Sequence, residues 1–130
     1  MKKGFDLVAL DQEPTAVIQL VHPATGDEIG AAATVYGLDS DLFRAEARKA
    51  EARYTEYARR NRGKFMPPED RDRLERSKIA ICTKSIDGLT YKGEPLTDVE
   101  DIFTRFPWIY EQVQAGIADR GNFIKGSSAK

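Results

Sequence analysis

The chain has 130 residues, the size of one domain, and its 20 basic and 21 acidic side chains give a net charge of −1. Because the charges nearly cancel, the overall composition does not indicate nucleic-acid binding. A single cysteine excludes an internal disulfide and fits a reducing cytosol. The apolar run at residues 7–10 is too short for a signal peptide, and no segment reaches the roughly 18 apolar residues of a membrane span. We therefore expect a soluble, intracellular protein.

The N-terminal third predicts a β-hairpin. Residues 5–10 read as a short strand or an ordered arm. Residues 15–22 and 28–36 are rich in β-forming side chains, and the segment Pro23-Ala24-Thr25-Gly26-Asp27 between them has the proline and glycine of a turn. Alanines 31–33 weaken the second strand, but their small size would let another backbone or a partner approach closely.

Residues 41–61 predict a long helix, because they contain no glycine or proline and Ser40 or Asp39 can cap their N-terminus. Aromatic and alanine side chains recur along this helix at intervals of 4, 3, 4 and 3 residues and form a heptad-like seam. This seam packs either within the chain or against a second copy, as a self-association surface. Its members are Phe43, Ala47, Ala50, Tyr54 and Tyr57.

The same helix and the residues after it are basic. Between residues 44 and 64, eight arginines and lysines face three glutamates. A basic stretch with aromatic residues can bind phosphates and stack on bases. One interpretation of this stretch is therefore a small nucleic-acid-binding module. The alternative interpretation is a solvent-exposed helix face with ion pairs such as Glu56–Arg60.

The segment Gly63–Pro68 predicts a mobile connection. Phe65 and Met66 form an apolar pair within it, which either contacts a partner or packs onto the domain. Pro68 suits the start of a new helix. We expect that helix to run from about Glu69 to Ser85, with Cys82 as a small buried hydrophobe and Asp87-Gly88 at its end.

The last third predicts two helices that meet at Pro107. Thr97 and Glu100 have the spacing of a capping box. Two sets of apolar residues follow at helical spacing, with Trp108, Tyr110 and Phe123 as the largest side chains near the ends of the second helix. The polar tail 126–130 is expected to be disordered.

Residue types required for catalysis are scarce. The sequence has no phosphate-binding loop, dinucleotide glycine motif or nucleophile elbow, and His22 is the only histidine. A Cys/His couple would need Cys82 and His22 brought together, and a zinc site needs more Cys/His ligands than the chain contains. We therefore expect no enzymatic activity, no metal and no cofactor.

Several short motifs, taken in order, resemble the tail assembly chaperones of long non-contractile-tailed (siphovirus-type) bacteriophages. They are His22-Pro23-Ala24-Thr25-Gly26, Val35-Tyr36-Gly37, Asp39–Arg44, the turn 87–96, Pro107-Trp108-Ile109, Gln112-Val113, and Ile117-Ala118-Asp119-Arg120 with Asn122-Phe123. The resemblance implies a protein of the infected cell's cytoplasm that keeps the tape measure protein soluble. It also implies that the protein promotes tail tube polymerisation and is absent from the finished virion. Many members also exist as a longer form made by ribosomal frameshifting.

Together these patterns predict an α+β, mainly helical fold with one domain at 1–125, comprising a β-hairpin at 15–36 and about four helices within 40–125. We expect a non-enzymatic chaperone that binds the tape measure protein and the tail tube protein, with no membrane partner. A head–tail joining or minor tail protein of the virion is an alternative of similar size and composition. The candidate partner contacts, chosen as large amphipathic side chains, are Tyr54, Tyr57, Phe65, Met66, Trp108 and Tyr110.

Overall fold

A computed structural model describes residues 4–124 of the chain. The predicted α+β architecture is confirmed, with an N-terminal β-hairpin, four α-helices and a small further two-stranded sheet. The predicted disordered tail 126–130 lies outside the described residues. The elements in chain order are β1 (Thr15–Val21), β2 (Glu28–Tyr36), α1 (Asp41–Arg60), α2 (Pro68–Ile81), β3 (Thr83–Asp87), β4 (Thr90–Tyr91), β5 (Glu94–Pro95), α3 (Val99–Arg105) and α4 (Pro107–Ala118).

The hairpin of β1 and β2 forms as predicted. The two strands pair antiparallel from Thr15 opposite Tyr36 to Val21 opposite Glu28, with an irregularity between Gln19 and Val21. Gly26 adopts a positive φ of 79° in the turn, a conformation that glycine tolerates without steric cost. This hairpin supplies two strands of a three-stranded sheet in the order β1-β2-β3.

The segment before the hairpin is not a strand. Leu7–Leu10 forms a 3-10 helix, in which the side chain of Asp6 accepts a hydrogen bond from the backbone N–H of Val8. Two backbone links tie the chain after it to the C-terminal part of the domain. Gln12 forms an isolated bridge with Ile124, and the Glu13 N–H donates to the Phe123 carbonyl at 2.7 Å.

The predicted helix 69–85 is correct as far as Ile81 and wrong after it. It begins at Pro68 as expected but ends at Ile81, and Thr83–Asp87 continues as β3 along the free edge of β2. Asp87 therefore ends a strand. Gly88 follows with a φ of +93°, and a Cβ there would lie 2.7 Å from the Gly30 carbonyl oxygen. Another part of the chain thus approaches the start of the alanine-rich strand closely.

The last two helices meet at Pro107, which begins α4 as predicted. The predicted Thr97–Glu100 capping box is wrong. The N-cap of α3 is Asp98, whose Oδ1 accepts from the Asp101 N–H at 3.2 Å. The Glu100 carboxylate instead accepts a hydrogen bond from the Ser77 hydroxyl, which links α3 to α2.

The core lies between one face of the sheet and the helices. Because strand side chains alternate between faces, Leu20 of β1 with Ala33 and Val35 of β2 are buried on the helix side, while Val17 on the opposite face is exposed. The helices α2, α3 and α4 and the C-terminal 3-10 helix Arg120–Phe123 cover the buried face. Their fully buried apolar side chains are Ile79, Ile102, Phe103, Ile109, Val113, Ile117 and Phe123.

Candidate partner-binding surface

The helix α1 takes little part in the core. It packs along α2, and Ala50 is its only buried residue. Ser40 caps its N-terminus, as predicted, by accepting a hydrogen bond from the Phe43 N–H at 3.1 Å. We call α1, α2 and the loop 61–67 between them the α1–α2 hairpin. A helix held mainly by one neighbour leaves much of its surface available to another molecule.

The contact between α1 and α2 is partly polar. The Tyr54 hydroxyl donates to Glu75 Oε2 at 2.6 Å, and Lys78 Nζ lies 2.9 Å from Glu75 Oε1. The same ammonium group lies 5.4 Å from the centre of the Phe43 ring. Two members of the predicted seam, Phe43 and Tyr54, therefore contact α2 within the chain. Self-association through the seam stays a prediction.

The two acidic groups of this contact have shifted pKa values. Burial and the hydrogen bond to Glu75 raise the pKa of Tyr54 to about 12. Burial acts to raise the pKa of Glu75, but the hydrogen bonds from Tyr54 and Lys78 outweigh it, so the pKa lies below its ordinary value. The pair is therefore held as a neutral phenol donating to a carboxylate, which fixes the spacing of the two helices.

The loop after α1 presents an exposed phenylalanine. Phe65 has 90% of its side chain exposed, and Met66 beside it is half-buried. Arg62 and Gly63 adopt positive φ values of 57° and 81°, and the Gly63 N–H donates to the Ala58 carbonyl at 2.8 Å. The chain thus reverses in a hydrogen-bonded turn that holds Phe65 away from the domain.

A groove with both apolar and charged lining residues runs between α1 and α2. It consists of two adjoining depressions, about 410 and 40 Å³ in volume, that share Arg53, Leu74 and Ser77. Its apolar lining comes from Ala50, Met66, Leu74 and Ile81, and Ile81 is 51% exposed. We call this depression the α1–α2 groove. Met66 places one end of it beside the exposed Phe65.

The predicted contact residues divide into two groups. Tyr54, Tyr57, Phe65 and Met66 belong to α1 and the loop after it. Trp108 and Tyr110 lie on α4, where both are half-buried against the core. Tyr110 packs edge-on against the Phe103 ring at 5.3 Å, and burial raises its pKa.

The groove residues of α2 were not predicted from the sequence. Leu74 and Ile81 lie seven residues apart on that helix, which places them on one face. That spacing could have indicated the groove.

Charge is distributed unevenly between the α1–α2 hairpin and the rest of the chain. Residues 41–81 carry 12 basic and 8 acidic side chains, whereas the remaining residues carry 8 basic and 13 acidic ones. The net charge of the chain is near zero, but the α1–α2 hairpin is cationic and the remaining residues, which we call the body, are anionic. Such an arrangement favours association with acidic partners at the hairpin.

Within residues 4–124, no group of three or more histidine, cysteine or carboxylate side chains is placed to hold a metal ion. In the same part of the chain, no helix combines the length and apolar character needed to cross a membrane. Comparison with protein families, curated proteins and solved structures finds no match to this chain.

Proposed function

We propose that this chain is a non-enzymatic tail assembly chaperone of a long non-contractile-tailed bacteriophage, which binds the tape measure protein and keeps it soluble. The observation that carries the proposal is the α1–α2 groove together with the exposed Phe65, which is the chain neighbour of the groove residue Met66. The short sequence motifs that resemble this family, and their order along the chain, support the same proposal. The proposal places the protein in the host cytoplasm, outside the mature virion, with the tail tube protein as a second partner.

The geometry suits a helical partner. A tape measure protein is a long helical chain whose apolar stripe aggregates when it is uncovered. An amphipathic helix can lay such a stripe into a groove between two helices, with one or two large side chains as anchors. The lining of Ala50, Leu74 and Ile81 provides apolar contact, and the basic side chains around it favour a stripe with acidic flanks.

A nucleic-acid-binding module is a second candidate, because the α1–α2 hairpin carries the surplus of basic charge. Several of these cations are already engaged within the chain. Arg59 and Arg60 both pair with Glu56, Lys49 pairs with Glu46, and Arg73 pairs with Asp70. Affinity for DNA or RNA that falls steeply with salt would favour this candidate over the chaperone.

The test starts at the native locus. The gene is expressed together with its downstream DNA, the product is captured through an N-terminal tag, and all recovered proteins are identified by mass spectrometry. Co-capture of the tape measure protein, or of a longer product that shares this N-terminus, supports the proposal. Detection of the chain in purified particles would contradict it and favour a head–tail joining or minor tail protein.

A matched pair of variants locates the binding surface. Phe65→Ala combined with Met66→Ala removes the apolar pair beside the groove and is expected to abolish co-capture. Ile29→Ala removes an exposed apolar side chain at the start of β2, in the hairpin sheet, and is expected to leave co-capture unchanged. Equal co-capture by both variants would show that the partner does not use the α1–α2 groove.

A further inference from the structure

A second apolar depression lies at the opposite end of α1 from Phe65. It has a volume of about 670 Å³ and lies between the N-terminal 3-10 helix and the start of α1. Its apolar lining consists of Leu7, Leu10, Pro14, Tyr36 and Leu42. Leu7 and Leu10 are both exposed to solvent. We call this depression the N-terminal pocket. None of the functional residues discussed above contributes to it.

Carboxylates surround the N-terminal pocket. Asp11, Glu13, Asp39 and Asp41 all line it and are all exposed. Asp39 accepts hydrogen bonds from Arg120 at 2.7 Å and from Gln12 at 3.0 Å. Within residues 4–124, the other three carboxylates have no basic partner within 4.0 Å. The pocket therefore combines an apolar floor with three carboxylates that can pair with incoming cations.

The loop 61–67 has the complementary composition. Phe65 is 90% exposed and is preceded by Arg62 and Lys64. Neither cation pairs with a carboxylate of the described chain, 4–124. The turn is fixed by its hydrogen bonds, including Lys64 N–H to the Asn61 carbonyl at 3.1 Å. Because the backbone of the loop is already held in place, binding through Phe65 costs less conformational entropy than binding through a free segment.

The two complementary features cannot meet within one molecule. The 20 residues of α1 separate them, and a helix of that length spans about 30 Å. A second copy of the chain can satisfy both, since each copy carries one loop and one pocket. The segregation of charge, with a cationic hairpin and an anionic body, acts in the same direction.

We infer that copies of this chain associate head to tail, with Phe65 of one copy seated in the N-terminal pocket of the next. Arg62 and Lys64 then lie opposite Asp11, Glu13 and Asp41. The contact is heterologous, so successive copies either close into a ring or form an open filament with one free loop and one free pocket at its ends. The association requires only copies of this chain and no tape measure protein.

The primary test is sedimentation velocity of the purified chain over a range of protein concentrations and salt concentrations. The wild type is expected to grow in mass with concentration and to dissociate as salt is raised, because the charge pairs lie at a solvated rim. A wild type that stays monomeric at every concentration would overturn the inference.

Two variants remove one half of the contact each. Phe65→Ser removes the anchor, and Leu10→Arg places a cation in the pocket at a position that is already 46% exposed. Each variant alone is expected to be monomeric, with association at least about tenfold weaker. Mixed in equal amounts they are expected to form a 1:1 dimer, because one retains its pocket and the other its anchor.

The mixing result separates this contact from other forms of self-association. A dimer through the predicted seam of residues 43–57 would persist in each variant alone, and an isologous dimer would give a wild type whose mass stops at two copies. Either outcome, or no recovery on mixing, overturns the inference. Circular dichroism verifies that both variants fold, and Glu13→Lys replaces Leu10→Arg if the latter does not. Ile29→Ser is the matched control and is expected to assemble like the wild type.

Discussion

The side-chain amide of Gln112 closes the free edge of β1 at Val21. The Oε1 atom accepts from the Val21 N–H and the Nε2 atom donates to the Val21 carbonyl, both at 2.9 Å. The amide thus takes the place of a neighbouring strand, and it joins α4 to a strand 91 residues earlier in the chain. Edge strands with unpaired backbone groups invite pairing with other chains, so this contact both stabilises and protects the sheet.

We expect Gln112→Leu to lower the free energy of unfolding by about 1–3 kcal/mol, because it keeps the side-chain volume but leaves both polar groups of Val21 without a partner. Gln114→Leu is the matched control, since Gln114 is exposed on the same helix. Urea denaturation measures both. Equal midpoints for the two variants would contradict the role given to Gln112.

The packing of α4 on the sheet depends on Gly116. A Cβ at this position would lie 2.8 Å from the Cγ1 and Cδ1 atoms of Ile18. We expect Gly116→Ala to destabilise the wild type by about 1–3 kcal/mol through overpacking. In an Ile18→Ala background the same substitution is expected to stabilise, because the space is then open and alanine favours the helix by about 1 kcal/mol. A thermal-denaturation double-mutant cycle measures this, and an unchanged sign would contradict the close contact.

The hydrogen bond between Tyr54 and Glu75 predicts a pH-dependent contribution to stability. The lowered pKa of Glu75 contributes stability above its ordinary value of 4.5, which is lost as the pH falls through the folded-state pKa. The raised pKa of Tyr54 contributes stability below its ordinary value of 10.0, which is lost as the pH rises through about 12.

Tyr54→Phe is therefore expected to cost about 1 kcal/mol between pH 5 and 10, and less on either side. Urea denaturation from pH 3 to 11 measures the difference from the wild type. Tyr57→Phe is the control, because no hydrogen bond of the Tyr57 hydroxyl is seen among the described residues. A difference that does not vary with pH would contradict the pairing.

Cys82 is expected to be unreactive in the folded protein. Its side chain is 0% exposed, and burial together with the nearby Glu46 raises the pKa of the thiol to about 11. At pH 8 the thiolate is about 0.1% of the population, and a thiol reagent reaches it only after unfolding. An exposed cysteine, Thr55→Cys in a Cys82→Ala background, serves as the reactive control. Rapid reaction of native Cys82 would contradict its burial.

Local patterns predicted most elements because their signals agreed with the tertiary structure. The hairpin, the start of α1 at Ser40 and the junction at Pro107 each depend on a few neighbouring residues. The strand β3 was missed because its buried residues imitate a helix. Ile79, Cys82, Thr83 and Ile86 are all buried and follow the spacing i, i+3, i+4, i+7.

A bulge explains how a strand acquires that pattern. Ser85 pairs with Thr34 and Thr83 pairs with Val35, so Lys84 is an extra residue opposite β2. The extra residue interrupts the alternation of side chains and lets both Thr83 and Ile86 face the core. Sequence alone does not show a bulge, because it depends on the partner strand.

The candidate surface was predictable only in part. The sequence marked Phe65 as a candidate contact but left open whether it packs onto the domain, and the structure shows it 90% exposed. The α1–α2 groove required the angle and spacing between two helices, which the Tyr54–Glu75 contact sets. The N-terminal pocket required the link between Gln12 and Ile124, more than 100 residues apart. The spacing of Leu74 and Ile81 marks one wall of the groove, but the pocket has no such signal.

The central claim is the proposed chaperone function, and its most direct test is the solubility of a tape measure protein encoded beside this chain's gene and co-expressed with the chain. We predict that the wild type and the Ile29→Ala control keep the tape measure protein in the soluble fraction. The variant with Phe65→Ala and Met66→Ala is predicted to leave it insoluble, because the apolar pair beside the α1–α2 groove is lost. A tape measure protein that is equally insoluble with and without the wild-type chain would contradict the account.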